Sequence, residues 1–252
     1  MMFRRIIFLI TLLQSSVLLF AQRPGICLAG MNSRQVDQLF DDVKYVNTIT
    51  YEADYSRHIA EKGSFISAST RYYFQNGDID RERITDEQGQ LLSLTIYQYR
   101  ENKIYVSTTY DANDTRTLQT LYDCDSLGIC TFMRLTDAIA VTISTTNIKR
   151  GDKWVEAKER FHDGEMATER YTYDKNGRLI QKTTIGSSDQ TIETSYSISK
   201  KGHPTKAHTK QNGDRKTIKY EYEFDSHNNW TKRITYIDGI AKEIATREIS
   251  YY

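Results

Sequence analysis

Turn signals recur along this chain at a spacing that leaves room for little except strands. They run Asn76-Gly77, Glu87-Gln88-Gly89, Glu101-Asn102, Asn113-Asp114, Ser126-Leu127-Gly128, Arg150-Gly151 and Asp163-Gly164. The series continues with Asn176-Gly177, Ser187-Ser188, Lys201-Gly202, Asn212-Gly213, His227-Asn228-Asn229 and Asp238-Gly239. Neighbouring signals stand mostly 11 to 14 residues apart, with one wider gap near Asp137. Subtracting the turn leaves 8 to 10 residues, the length of a strand. The Asn-Gly and Asp-Gly pairs supply the positive φ angles of tight hairpins.

The segments between turns alternate in polarity. Ile218, Tyr220, Tyr222 and Phe224 share one face, while Lys219, Glu221 and Glu223 share the other. Trp230, Ile234 and Tyr236 form a similar set, as do Ile192, Tyr196 and Ile198, and Ile104, Val106 and Tyr110. This pattern predicts an all-β chain with one apolar face and one wet face. The 18 tyrosines agree, since aromatic residues favour strands, and the 2 prolines interrupt little. The expected fold is a long antiparallel up-and-down meander of about 15 strands, forming a twisted, curled open sheet. Ahead of it, Ser33 is placed to cap one short helix carrying Val36, Leu39, Phe40 and Val43 at helical spacing.

The first residues carry Arg4 and Arg5, then an apolar run from Ile6 to Phe20, then the small residue Ala21. That is the layout of a secretory signal peptide over residues 1–21, with cleavage between Ala21 and Gln22. Residues 22–43 form the helix-bearing segment and 44–252 the strand domain. No second apolar run is long enough to span a membrane as a helix. An outer-membrane barrel is the structural rival. Neither Ile244, Thr246, Glu248 and Ser250 nor Ala245, Arg247, Ile249 and Tyr251 makes a lipid-facing row. The expected location is the periplasm, the cell surface or the medium.

A longer repeat overlies the turn rhythm. Its cleanest copy carries Tyr171, Tyr173, Asp174, Gly177 and Leu179. A second carries Tyr222, Phe224, Asp225 and Trp230. Weaker copies run over 122–130 and 196–204, with a fragment at 86–91. The Asp side chain can cap its own turn, and Gly takes the left-handed position. The Tyr-x-Tyr-Asp-x-x-Gly-x-Leu core resembles the YD repeat of bacterial RHS-type proteins. The ending from Tyr222 to Tyr252 is similar to degenerate YD-like hairpins of short secreted Bacteroidetes proteins. RHS proteins build long sheets around a cargo toxin, and this chain has neither their core segment nor a toxin domain. The resemblance implies architecture and export rather than an activity.

Within the repeat, Cys124 takes the place of Tyr173 and Cys130 that of Leu179. The two would face each other across a hairpin, so an oxidising compartment predicts a disulfide between them. Two free thiols packed as small hydrophobes are the alternative. Cys27 is left over, and a lipid anchor there has poor sequence context.

The chain carries no HExxH, CxxC, P-loop or Gly-x-Ser-x-Gly pattern. Its five histidines, His58, His162, His203, His208 and His227, show no metal spacing. Asp78, Asp80 and Glu82 put three carboxylates on one strand face, which reads as a solvated row. A net charge of +1 argues against a nucleic-acid footprint. No catalytic residue, cofactor or metal is expected. The reading is an exported non-catalytic binding or structural module with unknown ligand, and carbohydrate or an envelope protein as partner class. The alternatives are a glycan-active enzyme with carboxylates from several strands, and a subunit whose apolar sheet face a partner covers.

Overall fold

The computed structural model describes residues 37–56, 59–126, 129–186 and 190–252. The signal peptide, Ala21, Gln22, Cys27, Ser33, Val36, His58, Leu127, Gly128, Ser187 and Ser188 lie outside the described residues. Among the described residues sixteen strands follow one another. They are β1 (Val43–Asp54), β2 (Glu61–Tyr73), β3 (Ile79–Thr85), β4 (Leu91–Arg100), β5 (Lys103–Asp111), β6 (Arg116–Cys124), β7 (Cys130–Asp137) and β8 (Thr142–Gly151). Then come β9 (Trp154–Phe161), β10 (Met166–Tyr173), β11 (Leu179–Ile185), β12 (Thr191–Ile198), β13 (Pro204–Gln211), β14 (Asp214–Phe224), β15 (Trp230–Ile237) and β16 (Ile240–Tyr251).

Each strand pairs antiparallel with its sequence neighbours, and β16 pairs with β1, so the sheet closes into a barrel. This corrects the expected open sheet. Along the seam Val46 faces Ile249, Thr48 faces Arg247 and Tyr51 faces Ile244. An open sheet would leave two rows of unpaired N–H and C=O groups, and closure satisfies both.

Sixteen strands need fifteen connections, two more than the thirteen turn signals, and the unsignalled ones are β1–β2 and β7–β8. Asp137 N–H donates to Val141 O at 3.0 Å, and Ala140 takes φ 66°. The same five-residue turn recurs at Asp86, Asp111, Asp125, Asp174 and Asp225, where an Asp Oδ1 accepts the N–H four residues on. The fragment at 86–91 turns at the opposite end of the barrel from the other four repeat copies, so it is out of phase with them.

The expected N-terminal helix is also corrected. Gln38 and Asp41 adopt positive φ (57° and 61°), Leu39 and Phe40 are irregular, and Val43 already opens β1. Of the residues at helical spacing, Leu39 is 7% exposed and Val43 fully buried, whereas Phe40 is 40% exposed.

A bulge precedes six of the hairpins at one end of the barrel, at Tyr73, Tyr99, Cys124, Tyr173, Ile198 and Phe224. Each bulge turns one residue to the other face. Trp230 therefore pairs with Phe224, while Lys232, Ile234 and Tyr236 stand on the opposite face. The expected row of Trp230, Ile234 and Tyr236 is split in this way.

Candidate functional site

Residues opposite each other across a ladder share a face of the sheet. The face of Arg71 includes Glu82, Val46 and Ile249, and Arg247 lies two residues from Ile249 on the same strand. On this face groups from alternate strands interact: Arg71 of β2 with Tyr97 of β4, Tyr97 with Tyr122 of β6, and Arg71 with Arg247 of β16. Only the concave side brings alternate strands together, so this is the inside of the barrel. It carries paired charges from several strands.

Arg71 donates from Nε to Glu82 at 2.8 Å and from Nη1 to Asp37 at 2.7 Å. Burial would lower its pKa, yet Asp37 and Glu82 outweigh that and raise it. Tyr73 donates its hydroxyl to the other Asp37 oxygen, and burial and then Asp37 raise its pKa. Further round, Lys182 pairs with Glu169 at 2.8 Å, and Tyr171 donates to the same carboxylate. Ser144 donates to Glu159 at 2.6 Å, and Arg233 to Glu243 at 2.8 Å. Arg247 stacks on Trp230, with its guanidinium carbon 3.6 Å from the ring centroid. Burial lowers its pKa to about 10, so it stays charged at neutral pH.

One end of the barrel is sealed. Asp37 reaches Arg71, Gln38 lies 3.0 Å from His203 Nδ1, and Asn229 holds the backbone N–H and C=O of Phe40 at 2.7 and 3.0 Å. Leu39 and Val43 join Tyr73, Tyr97, Ile104, Met133 and Tyr171 in one apolar cluster. At the opposite end the inner face meets solvent: Ile84 and Leu118 face inward and are 39% and 37% exposed. The segment before β1 thus makes the barrel a cup.

The repeat residues furnish the sealed end. Tyr171, Tyr222 and Trp230 face inward, Tyr173 pairs with Leu179, and Gly177 takes φ 75°. Asp174 accepts from Arg178 Nε at 2.7 Å, and Asp225 accepts the Tyr251 hydroxyl at 2.5 Å. Cys124 and Cys130 face each other, with their Sγ atoms in disulfide contact. The three carboxylates Asp78, Asp80 and Glu82 do not form a solvated row. Asp78 lies in the turn and is 6% exposed, Glu82 binds Arg71, and Asp80 pairs with Arg81.

Sequence reasoning missed His203 and Asn229, which are 1% and 0% exposed. Both occupy the residue after the left-handed turn position, as Arg178 does, and that shared place in the repeat was the available signal. Burial lowers the His203 pKa. His203 and His208 do not share a strand, since β13 begins at Pro204. Among the described residues no group of three His, Cys, Asp or Glu is placed to share a metal ion.

No family model matches the chain, and no curated protein matches it in sequence. Among solved structures it is similar to a porin-like protein from Bacteroides uniformis ATCC 8492. The identity is 13%, the coverage 82% of this chain and 96% of that one, and the TM-score 0.56. A porin-like protein from Bacteroides vulgatus ATCC 8482 matches at 11% identity over 84% and 99% of the two chains, with TM-score 0.44. At such identity the first likeness shows the fold alone.

Proposed function

We propose that this protein is an exported, non-catalytic β-barrel of the cell envelope or extracellular space that stands in water and binds a ligand on its inner face. The outer face carries the reading. In β12, β13 and β14 it presents Glu193, Ser195, Ser197, Lys206, His208, Lys210, Lys219, Glu221 and Glu223, all exposed. A Lys or Arg facing lipid at the bilayer midplane costs about 2–4 kcal/mol, and these charges recur in strand after strand. The porin-like description of the Bacteroides uniformis protein supports an envelope setting and a barrel that is not an enzyme. The signal-peptide pattern supports export. Closure turns the apolar row of β14 inward, which supports a barrel that covers this row itself.

Fractionation of cells expressing the whole chain tests this. The protein should leave the cytoplasm, begin near Gln22 and remain in solution without detergent. Recovery only in a detergent extract of the membrane would overturn it.

A second reading places carbohydrate on the outside. A cleft of about 670 Å³ is lined by Tyr55, Lys206, Thr217, Lys219, Glu221 and Tyr236. Tyr55 and Tyr236 meet edge to face at 6.2 Å, which offers an apolar ring beside charged groups. Binding on a glycan array that is lost in Tyr236→Ala would favour this cleft over the inner face.

A further inference from the structure

We propose that the inner face holds an anionic ligand at Arg247 and Arg233, beside Trp230; this rests on the inner-face reading above. Arg247 Nε and Nη1 and Arg233 Nε are buried and have no hydrogen-bond acceptor among the described residues. Among the described residues, two other buried cations of the inner face are matched: Arg71 by Asp37 and Glu82, Lys182 by Glu169. Arg233 has Glu243 on Nη2, which leaves its Nε unused. Asp37 attracts Arg247 but spends its oxygens on Arg71 and Tyr73. Residues 1–36 contain no Asp or Glu, so the segment ahead of Asp37 brings no side-chain carboxylate.

Buried guanidinium N–H groups without an acceptor are costly, and retaining them needs a compensating group. Trp230 fixes the geometry. The Arg247 and Arg233 guanidinium carbons lie 3.6 and 5.2 Å from its ring centroid, so both planar forks are held by one ring. Unused N–H groups on two forks match an oxyanion with at least two oxygens. A carboxylate, sulfate or phosphate group fits, either as a free ion or as the acidic group of a sugar. Tyr222, 6.2 Å from Trp230, adds ring surface for the body of such a sugar.

The test uses the whole exported chain. Its thermal midpoint and tryptophan emission are followed while sulfate, phosphate or glucuronate is added at constant ionic strength against chloride, with glucose as the neutral control. A saturable rise in midpoint with at least one oxyanion and none with chloride or glucose is expected. A larger response to glucuronate than to sulfate assigns the acidic sugar, and an equal one the free anion. Arg247→Met should abolish the response and, without anion, be at least as stable as the parent. Arg247→Lys keeps the charge but not the fork and should bind at least tenfold more weakly. No response to any oxyanion, or an equal response in Arg247→Met and Arg247→Lys, overturns the site. A detergent-free barrel that fails this titration loses only the anion site, whereas recovery in membranes would sink the water-exposed reading itself.

Discussion

Ala140 holds a backbone conformation that costs an L-residue about 1–2 kcal/mol and glycine little. Its side chain is exposed at a turn that Asp137 caps through the Val141 N–H at 2.8 Å. Ala140→Gly should therefore raise stability by about 0.5–1 kcal/mol after the added freedom of the unfolded chain is subtracted, as read from urea midpoints. Asp174 makes a pH-dependent contribution of the opposite kind. The Arg178 side-chain hydrogen bond, then backbone N–H groups, hold its carboxyl below the usual carboxylate range. The folded value lies below the unfolded one, so this contribution is present above about pH 4 and is lost as pH falls through the depressed value. Asp174→Asn should lower the urea midpoint at neutral pH and flatten its decline below about pH 4. An unchanged decline would show that other carboxylates carry it.

The segment before β1 acts as an element in its own right although it has no regular structure. Asp37 neutralises a largely buried Arg71, with side-chain exposures of 11% and 12%, and engages Tyr73. Breaking a buried pair costs about 3–5 kcal/mol when no other partner remains. Glu82 still holds Arg71, so Asp37→Ala should cost about 2–3 kcal/mol. Hydrogen exchange should rise across residues 37–42 and the β2–β3 turn, while β12 to β14 keep their protection. The cysteine pair is a second local device. If it is oxidised in the exported protein, unreduced tryptic peptides will contain the 124–130 linkage. Its short loop limits the loss in a Cys124→Ala/Cys130→Ala variant to about 2 kcal/mol, with faster exchange confined to β6 and β7. The hairpins bounded by Gly177 or Gly213 were legible because their turns must take positive φ. The Asp137 turn was not, because Ala140 carries no such mark. The burial of Leu39 and Val43 was legible and their conformation was not. Apolar spacing reports which residues seek the core, and here Asp37, Gln38 and Asn229 fix the path through contacts far away in sequence.

Closure is a property of the whole molecule that no local pattern encodes. The seam joins Tyr45 to Ser250 and Glu52 to Glu243, across nearly the whole chain, and the alternation in β1 and β16 matches that of strands paired to a neighbour. The inner charges were illegible for the same reason. Arg71, Glu82, Arg233 and Arg247 sit in alternating rows like any solvated charge until the sheet curves and brings them together. The seam can be tested by moving the chain ends. Tyr252 N–H donates to Asp42 O at 2.9 Å, so the last residue lies beside the start of β1. A flexible linker of about 10 residues spans on the order of 15–20 Å, enough to join Tyr252 to Asp37 at the same end of the barrel. New ends opened between Ile139 and Ala140 would fall in an exposed turn, where chain breaks are best tolerated. In a closed barrel this permutant keeps every ladder and loses only the β7–β8 connection, so it should unfold in one transition with a similar urea slope. In an open meander the linker would have to cross the full width of the sheet, and the permutant would expose apolar surface, bind a hydrophobic dye and unfold over a broad range. Circular dichroism and the urea slope together separate the two outcomes.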